Sequence, residues 1–593
     1  MDSVTAHFMT TSPGPLTDVL ATVLSQETGL SSAGYPFLSG PAYLALRDKI
    51  PQLLGWGTQV WDALDELCSN LDGLEEGQRH HVLQSRRVVQ QVLRTAAITG
   101  PPALWLARHV LGAMAELGIT RRLLAGESIV PEDTEFRPDE LEIDLSYLTV
   151  LGLLKRENGA FRLSSRLEAR RVLESLGPLP VDEPVHAANI WALACGGDPI
   201  SETDRAGLLV LAGGALPRSN HTQTNSFPTY EEIALGYRLV PLIVGMASVG
   251  TTADCLKQSS IAPIDLIPDD VALGSAALQL LHAAGIVRPV PGLDECVATP
   301  LGRRVMERGP GPFGIIEAYQ PYMAHLTTIL REGRGSVHLT RSSNIAASQR
   351  ANRESFRKAN DALDRFCDKT GFRYTVFIEH ALGRGEATRQ RYVRSGDNSI
   401  QYVGADLEDA AIDAAQAERD AGVLPREMVF VRNADIGRAD ILLDALAANG
   451  ITARGAVMMV GNGFHEVRDA DDERITAVFK AYADAGIILI FTEETALSIA
   501  DQQATAWNTY HPGFRYVHEK SGQGLRPSVD HSNSPDDPLP LSWTSAAESG
   551  GYKRLEPYCT PGRTIYPCPP PSGHNPSTYV NYFMVPAHLG LGE

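Results

Sequence analysis

The sequence predicts an α/β protein, with a seven-stranded, doubly wound sheet behind a large, mainly helical N-terminal region. Two observations carry that prediction. From about residue 370, short β-rich runs alternate with helical stretches, a spacing that gives a parallel sheet with crossover helices. Before about residue 340, apolar residues recur at three- and four-residue intervals, the period of helices that bury one face.

Composition sets the frame. At about 150 residues per domain, 593 residues make roughly four domain-sized shares, and 43% hydrophobic with 21% charged residues describes a globular chain. The formal charge is 52 − 71 = −19, which argues against nucleic acid or an anionic membrane as partner, because counterion release needs surplus Lys and Arg. No Lys or Arg precedes Arg47, so a signal peptide is not expected, and the longest apolar stretches (239–250 and 487–491) are broken or too short for a membrane span. The seven cysteines are an odd number without a CxxC pair, which points to a reducing, cytoplasmic setting.

Taken in order, residues 54–71 and 85–117 read as helices, the second broken by a turn at Gly100-Pro101-Pro102. Residues 147–164 and 278–302 each read as helix, strand, Gly-containing turn and strand, the grammar of a winged helix. The acidic charge demotes both from DNA readers to a lid or a dimerisation module, the second of which would make a homodimer. Segment 309–313 reads as a linker into a helix over 315–330, which carries Tyr319 and Tyr322. Strands are expected at 374–379, 400–406, 428–431, 456–460, 487–492, 514–518 and 579–585, with helices over 407–421 and 471–485. The domains then run 1–135 (helical), 136–335 (winged-helix-like) and 336–593 (the sheet), with a Pro-rich, lid-like insert at about 521–578.

The run VFIEHALGRGEA (376–387) ends a strand in Glu379 and turns through Ala381, Gly383 and Gly385 into a helix. Small residues at alternate positions let a ligand approach the backbone at the carboxyl end of the strand. Asp406, at the end of the second strand, is placed to accept ribose hydroxyls, and Asp435, after the third, to bond an adenine amine. A dinucleotide needs its pyrophosphate at a helix N-terminus, but this helix opens with Glu386, which repels an anion and tolerates a sulfonium. His380 is expected to face the crevice without a catalytic duty.

These residues resemble the first motif of class I S-adenosylmethionine-dependent methyltransferases, with Ala381 in place of the first glycine. The resemblance covers roughly residues 340–590 and implies a Rossmann-like fold. It implies Glu379, Ala381, Gly383 and Gly385 at the methionine end of the cofactor, Asp406 at the ribose and Asp435 at the adenine. The fourth-strand segment, AVMMVGNGFHEVRDADDERITAVFKAYADAG, resembles winged-helix small-molecule methyltransferases, in which a His-acid pair follows that strand. The pair here is His465-Glu466, with Glu493 or Glu494 as the carboxylate that orients the base. This gives a metal-free O-methyltransferase with His465 as general base.

TYHPGFRYVHEKSGQGLRPSVDH (509–531) and SSNIAASQRANRESFRKANDALD (342–364) resemble mononuclear-iron C-methyltransferase domains of apratoxin-type polyketide starter modules. Metal-dependent 2-keto acid C-methyltransferases share the pattern. The resemblance implies one iron or manganese ion on His465, His518 and Gln523, with His511 and His531 as alternative ligands. Such a metal chelates two substrate oxygens and acidifies the carbon between them. The expected substrate is a small-molecule or carrier-tethered acyl group, a 2-keto acid or β-dicarbonyl of malonyl type, in natural-product biosynthesis. A third expectation is a winged-helix regulator with a degenerate methyltransferase-like sensor domain.

Overall fold

The computed structural model describes residues 28–30, 36–38, 75–180, 184, 186–213, 229–337, 345–395, 399–468, 470–499, 502, 511–528, 530, 536, 539–564 and 577–591. The helix expected over 54–71 and the alternative ligand His531 lie outside them. Two compact units form: Met1–Leu339 with Ile499–Val517 and Ile565–Asn575, and Thr340–Ser498 with His518–Thr564 and Pro576–Glu593.

In the first unit, the helix Glu76–Glu116 runs unbroken through Pro101 and Pro102, where the sequence predicts a turn. Two prolines inside a helix each remove a hydrogen bond. Packing outweighs that loss, because Leu104, Leu106, Val110, Leu111 and Met114 are all buried in the core. The helix Tyr230–Ser248, started by the Thr229–Glu232 capping box, crosses it at Gly236. A Cβ on Gly236 would lie 2.6 Å from Leu104 Cβ, so the crossing depends on glycine.

Two helices are each followed by an antiparallel hairpin: Pro138–Val150 with Leu154–Glu157 and Ala160–Leu163, and Val271–Ala283 with Val287–Pro289 and Cys296–Ala298. Segment 309–313 is not a linker, because Pro310 opens the helix Pro310–Glu317. The expected continuous helix over 315–330 is divided among Pro310–Glu317, Gln320–Met323 and Leu326–Glu332, with Pro321 in the first turn of the second. Tyr319 and Tyr322 are buried in this unit's core. Among the described residues, no single helix is long and apolar enough to cross a membrane.

The second unit holds the sheet. Its helices are α1 (Ile345–Thr370), α2 (Glu386–Ser395), α3 (Asp409–Asp420), α4 (Ala439–Ala448), α5 (Asp472–Asp484) and α7 (Trp543–Ser549); α6 (His511–Lys520) begins in the first unit and ends here. Its strands are β1 (Val376–His380), β2 (Gln401–Ala405), β3 (Val429–Val431), β4 (Val457–Gly461), β5 (Ile488–Glu494), β6 (Tyr552–Arg554), β7 (Thr560–Thr564) and β8 (Ser577–Pro586). Their order is β3-β2-β1-β4-β5-β8-β6, parallel from β3 to β5 and antiparallel at β8, with β7 pairing along β8 beyond β6.

Apolar side chains cover both faces, as a parallel sheet requires. Phe356, Leu363 and Phe366 of α1 pack on Phe377, Ile488 and Phe583. Leu442 of α4, Phe479 of α5 and Trp543 of α7 pack on Ile378, Met458 and Leu489.

One expected strand is a helix. Residues 514–518 lie in α6, and the sheet's outer place belongs to β6. The aromatic and β-branched residues there suit a strand, but Pro512 in the first turn favours a helix start, and β propensity yields to context. The stretch read as an insert thus supplies α7, β6 and β7.

Gly236→Ala is expected to lower the stability of the first unit by about 1–3 kcal/mol, measured by urea unfolding, because the new methyl has no room beside Leu104.

Candidate active site

β1 ends at the point where strand order reverses between β1 and β4, the place where open α/β sheets bind ligands. Glu379 is 1% exposed, and its two oxygens accept the amides of Ala387 (3.1 Å) and Thr388 (2.6 Å). The carboxylate therefore occupies the N-terminus of α2. An anionic pyrophosphate has no such helix end to bind, which strengthens the charge argument drawn from Glu386. Burial pushes the Glu379 pKa up to about 7, against the lowering effect of its Thr388 and Ala387 hydrogen bonds.

The loop itself is tightly turned. Ala381, Gly383 and Gly385 all have positive φ, at 56°, 53° and 80°. For Ala381 that left-handed conformation costs about 1 kcal/mol, a strain the expected glycine would avoid. A Cβ on Gly385 would press on Leu424 at 2.8 Å. Asp406 holds the loop from below: Oδ2 accepts Gly383 N (2.9 Å) and Oδ1 accepts Glu408 N (2.9 Å). Each oxygen keeps a second lone pair for a hydroxyl donor. Burial raises the Asp406 pKa despite the amide bonds from Glu408 and Gly383. Asp435 Oδ1 accepts Gly437 N (2.8 Å) and orders the turn after β3.

The second cluster follows β4. Gly461 is required where the ring of Phe356 would meet a Cβ at 2.3 Å, and Asn462 then turns through a φ of 55°. His465 sits in the short turn Phe464–Glu466, and its Nδ1 lies 2.6 Å from Glu493 Oε2. Glu493 is fully buried at the end of β5, and its other oxygen accepts Phe464 N at 2.5 Å. Burial pushes its pKa up to about 8, with the amides of Phe464, His465 and Gly463 opposing the shift. With a carboxylate as acceptor, Nδ1 carries the proton and Nε2 is the basic nitrogen of the ring. Glu466 Oε1 is 3.6 Å from that Nε2. Glu494 belongs to β5 as well, and its backbone oxygen accepts the indole N–H of Trp543 (3.1 Å).

His518, at the end of α6, stands edge-to-face against His465 with ring centroids 5.1 Å apart. Gln523 joins the group, its amide nitrogen donating to Glu466 and its amide oxygen accepting from Ser521 Oγ (2.9 Å). The structure therefore gathers His465, Glu466, Glu493, His518 and Gln523, as the sequence predicts. The single Ser521 hydroxyl hydrogen lies within reach of both the His518 carbonyl oxygen (3.0 Å) and the Gln523 amide oxygen (2.9 Å). Among the described residues, no group of three or more His, Cys, Asp or Glu side chains is placed to hold a metal ion. The side chain of His511 is outside the described set. Sequence reasoning missed Ser521 as the partner of Gln523, for which a short polar residue two positions away was the only signal.

The two clusters are neighbours, since a Cβ on Gly463 would lie 3.2 Å from Ala381 Cβ.

No protein-family model matches the sequence, and no curated protein does. Solved structures similar to this chain include the CurJ carbon methyltransferase, at 13% identity and a TM-score of 0.30 over 58% of this chain and 91% of that one. Human N-acetylserotonin methyltransferase in complex with SAM is similar at 9% identity and a TM-score of 0.37, over 59% and 95%. The CMeT domain of the citrinin polyketide synthase is similar at 12% identity and a TM-score of 0.32, over 90% and 95%.

A carboxylate whose folded pKa is raised loses its stabilising contribution as pH rises through that pKa. Wild-type protein is therefore expected to lose stability relative to Glu379→Gln between about pH 5 and pH 7, at up to about 1.4 kcal/mol per pH unit, in urea unfolding across that range.

Proposed function

We propose that the chain is an S-adenosylmethionine-dependent methyltransferase in which His465, held by Glu493, removes the proton from the methyl acceptor. The observation that carries this reading is the buried 2.6 Å contact between His465 and Glu493, beside a glycine loop whose helix N-terminus is filled by Glu379. When bound, S-adenosylmethionine supplies an electrophilic methyl group on a sulfonium. The loop from Ala381 to Gly385, with Asp406 and Asp435, would hold it, its positive charge beside buried carboxylates.

Glu493 fixes the orientation and tautomer of the imidazole and stabilises the imidazolium formed when Nε2 takes the proton. Acceptors within reach of such a base are an acidic hydroxyl or a β-dicarbonyl carbon of malonyl type, free or carrier-tethered, as natural-product pathways provide. The iron or manganese ion of the sequence reading is left out of this proposal, since among the described residues no group of three or more His, Cys, Asp or Glu side chains is placed to hold one. The two helix–hairpin units are assigned as winged helices serving dimerisation, in keeping with the −19 charge. Duplex binding at physiological salt would overturn that assignment.

A mass-spectrometric product assay with S-adenosylmethionine and a panel of phenols and malonyl-type thioesters tests the reaction. His465→Ala is expected to lower kcat by about 10²–10⁴-fold with the fold intact. Activity is expected to survive chelation and the His518→Ala substitution; loss on chelation with recovery on added iron would restore His518 and Gln523 as ligands. Because burial holds the Glu493 pKa near 8, kcat/KM is expected to rise with pH and level off above about 8, and to lose that limb in Glu493→Gln.

A further inference from the structure

His380 is the last residue of β1, on the rung it shares with Val460 of β4 and Ala405 of β2. It is 1% exposed. Its Nδ1 accepts the backbone N–H of Ala381 at 2.9 Å, which puts the ring hydrogen on Nε2. Burial lowers its pKa to about 4, so the ring is neutral throughout the physiological range. Nε2 is buried and has no hydrogen-bond partner among the described residues. An unmet buried donor costs about 1–3 kcal/mol and is rare enough in native proteins to need a reason.

Strand order supplies one. A nucleoside with its ribose at Asp406 after β2 and its adenine at Asp435 after β3 extends its remaining chain the other way, over β1 toward β4 and His465. In S-adenosylmethionine that chain carries an ammonium and a carboxylate. Acceptors for the ammonium are plentiful at this end of the sheet, but a carboxylate needs a donor. A neutral imidazole N–H binds it without the repulsion that an arginine or lysine would exert on the sulfonium.

We propose that His380 is a cofactor-binding residue whose Nε2–H donates to the amino-acid carboxylate of S-adenosylmethionine. The proposal rests on the cofactor reading above and extends it to a residue outside the glycine motif. Calorimetric titration with S-adenosylhomocysteine, and with 5′-methylthioadenosine, which has no carboxylate, tests it without turnover. His380→Asn keeps an acceptor near Nδ1 and removes the donor at Nε2, while His380→Gln keeps a donor at Nε2.

His380→Asn is expected to weaken S-adenosylhomocysteine binding about 10-fold or more, the value of a hydrogen bond to a charged group. It should bind methylthioadenosine within about twofold of wild type, and that binding also reports an intact fold. His380→Gln should recover most of the lost affinity. Equal losses for both ligands, or unchanged S-adenosylhomocysteine binding in His380→Asn, would overturn the proposal. If the wild-type protein binds neither ligand, the cofactor reading itself fails.

Discussion

The carboxylate of Glu379 in the N-terminus of α2 is the interaction on which the rest of the site depends. It ties the end of the central strand to the first crossover helix through two backbone amides. The loop between them is thereby drawn into its left-handed turns, with Ala381 held in a conformation that glycine adopts more easily. The same carboxylate uses up the helix end that a dinucleotide needs for its pyrophosphate. One buried charge thus shapes the loop and selects against anionic ligands.

A second buried carboxylate follows the same physical plan. Glu493, at the end of β5, is anchored by the amide of Phe464 and faces Nδ1 of His465. Both groups are desolvated and both titrate well above an ordinary glutamate. Glu379 accepts two backbone amides, whereas Glu493 accepts one and faces an imidazole, and so sets the basicity of that side chain. Backbone amides offset part of the cost of burying each carboxylate at the carboxyl end of its strand.

The periodic parts of the sequence were the legible ones. Five parallel strands and their crossover helices follow from apolar runs of strand length set between helical periods, and each strand-end acid lies where the alternation places it. Failures came where a local rule met packing. Gly100-Pro101-Pro102 reads as a turn, yet the helix continues because its buried face against the Tyr230–Ser248 helix outweighs two lost hydrogen bonds. Residues 514–518 read as a strand from side-chain type alone, and Pro512 starts a helix instead. The structure brings His465 and His518 together, and the Glu466 hydrogen bond that holds Gln523 beside them is a contact no spacing reveals.

By itself, the sequence determined the α/β class, the acidic charge and which side chains stand at the carboxyl ends of the strands, because strand alternation and helical period are written along the chain. Only the tertiary structure decided what those side chains do. It shows Glu379 capping α2, selects Glu493 rather than Glu494 as the partner of His465, and leaves the Nε2–H of His380 buried without a hydrogen-bond partner among the described residues. The reason is that a carboxylate or imidazole acquires its role from desolvation and from the donors folded around it, and those come from residues distant in sequence.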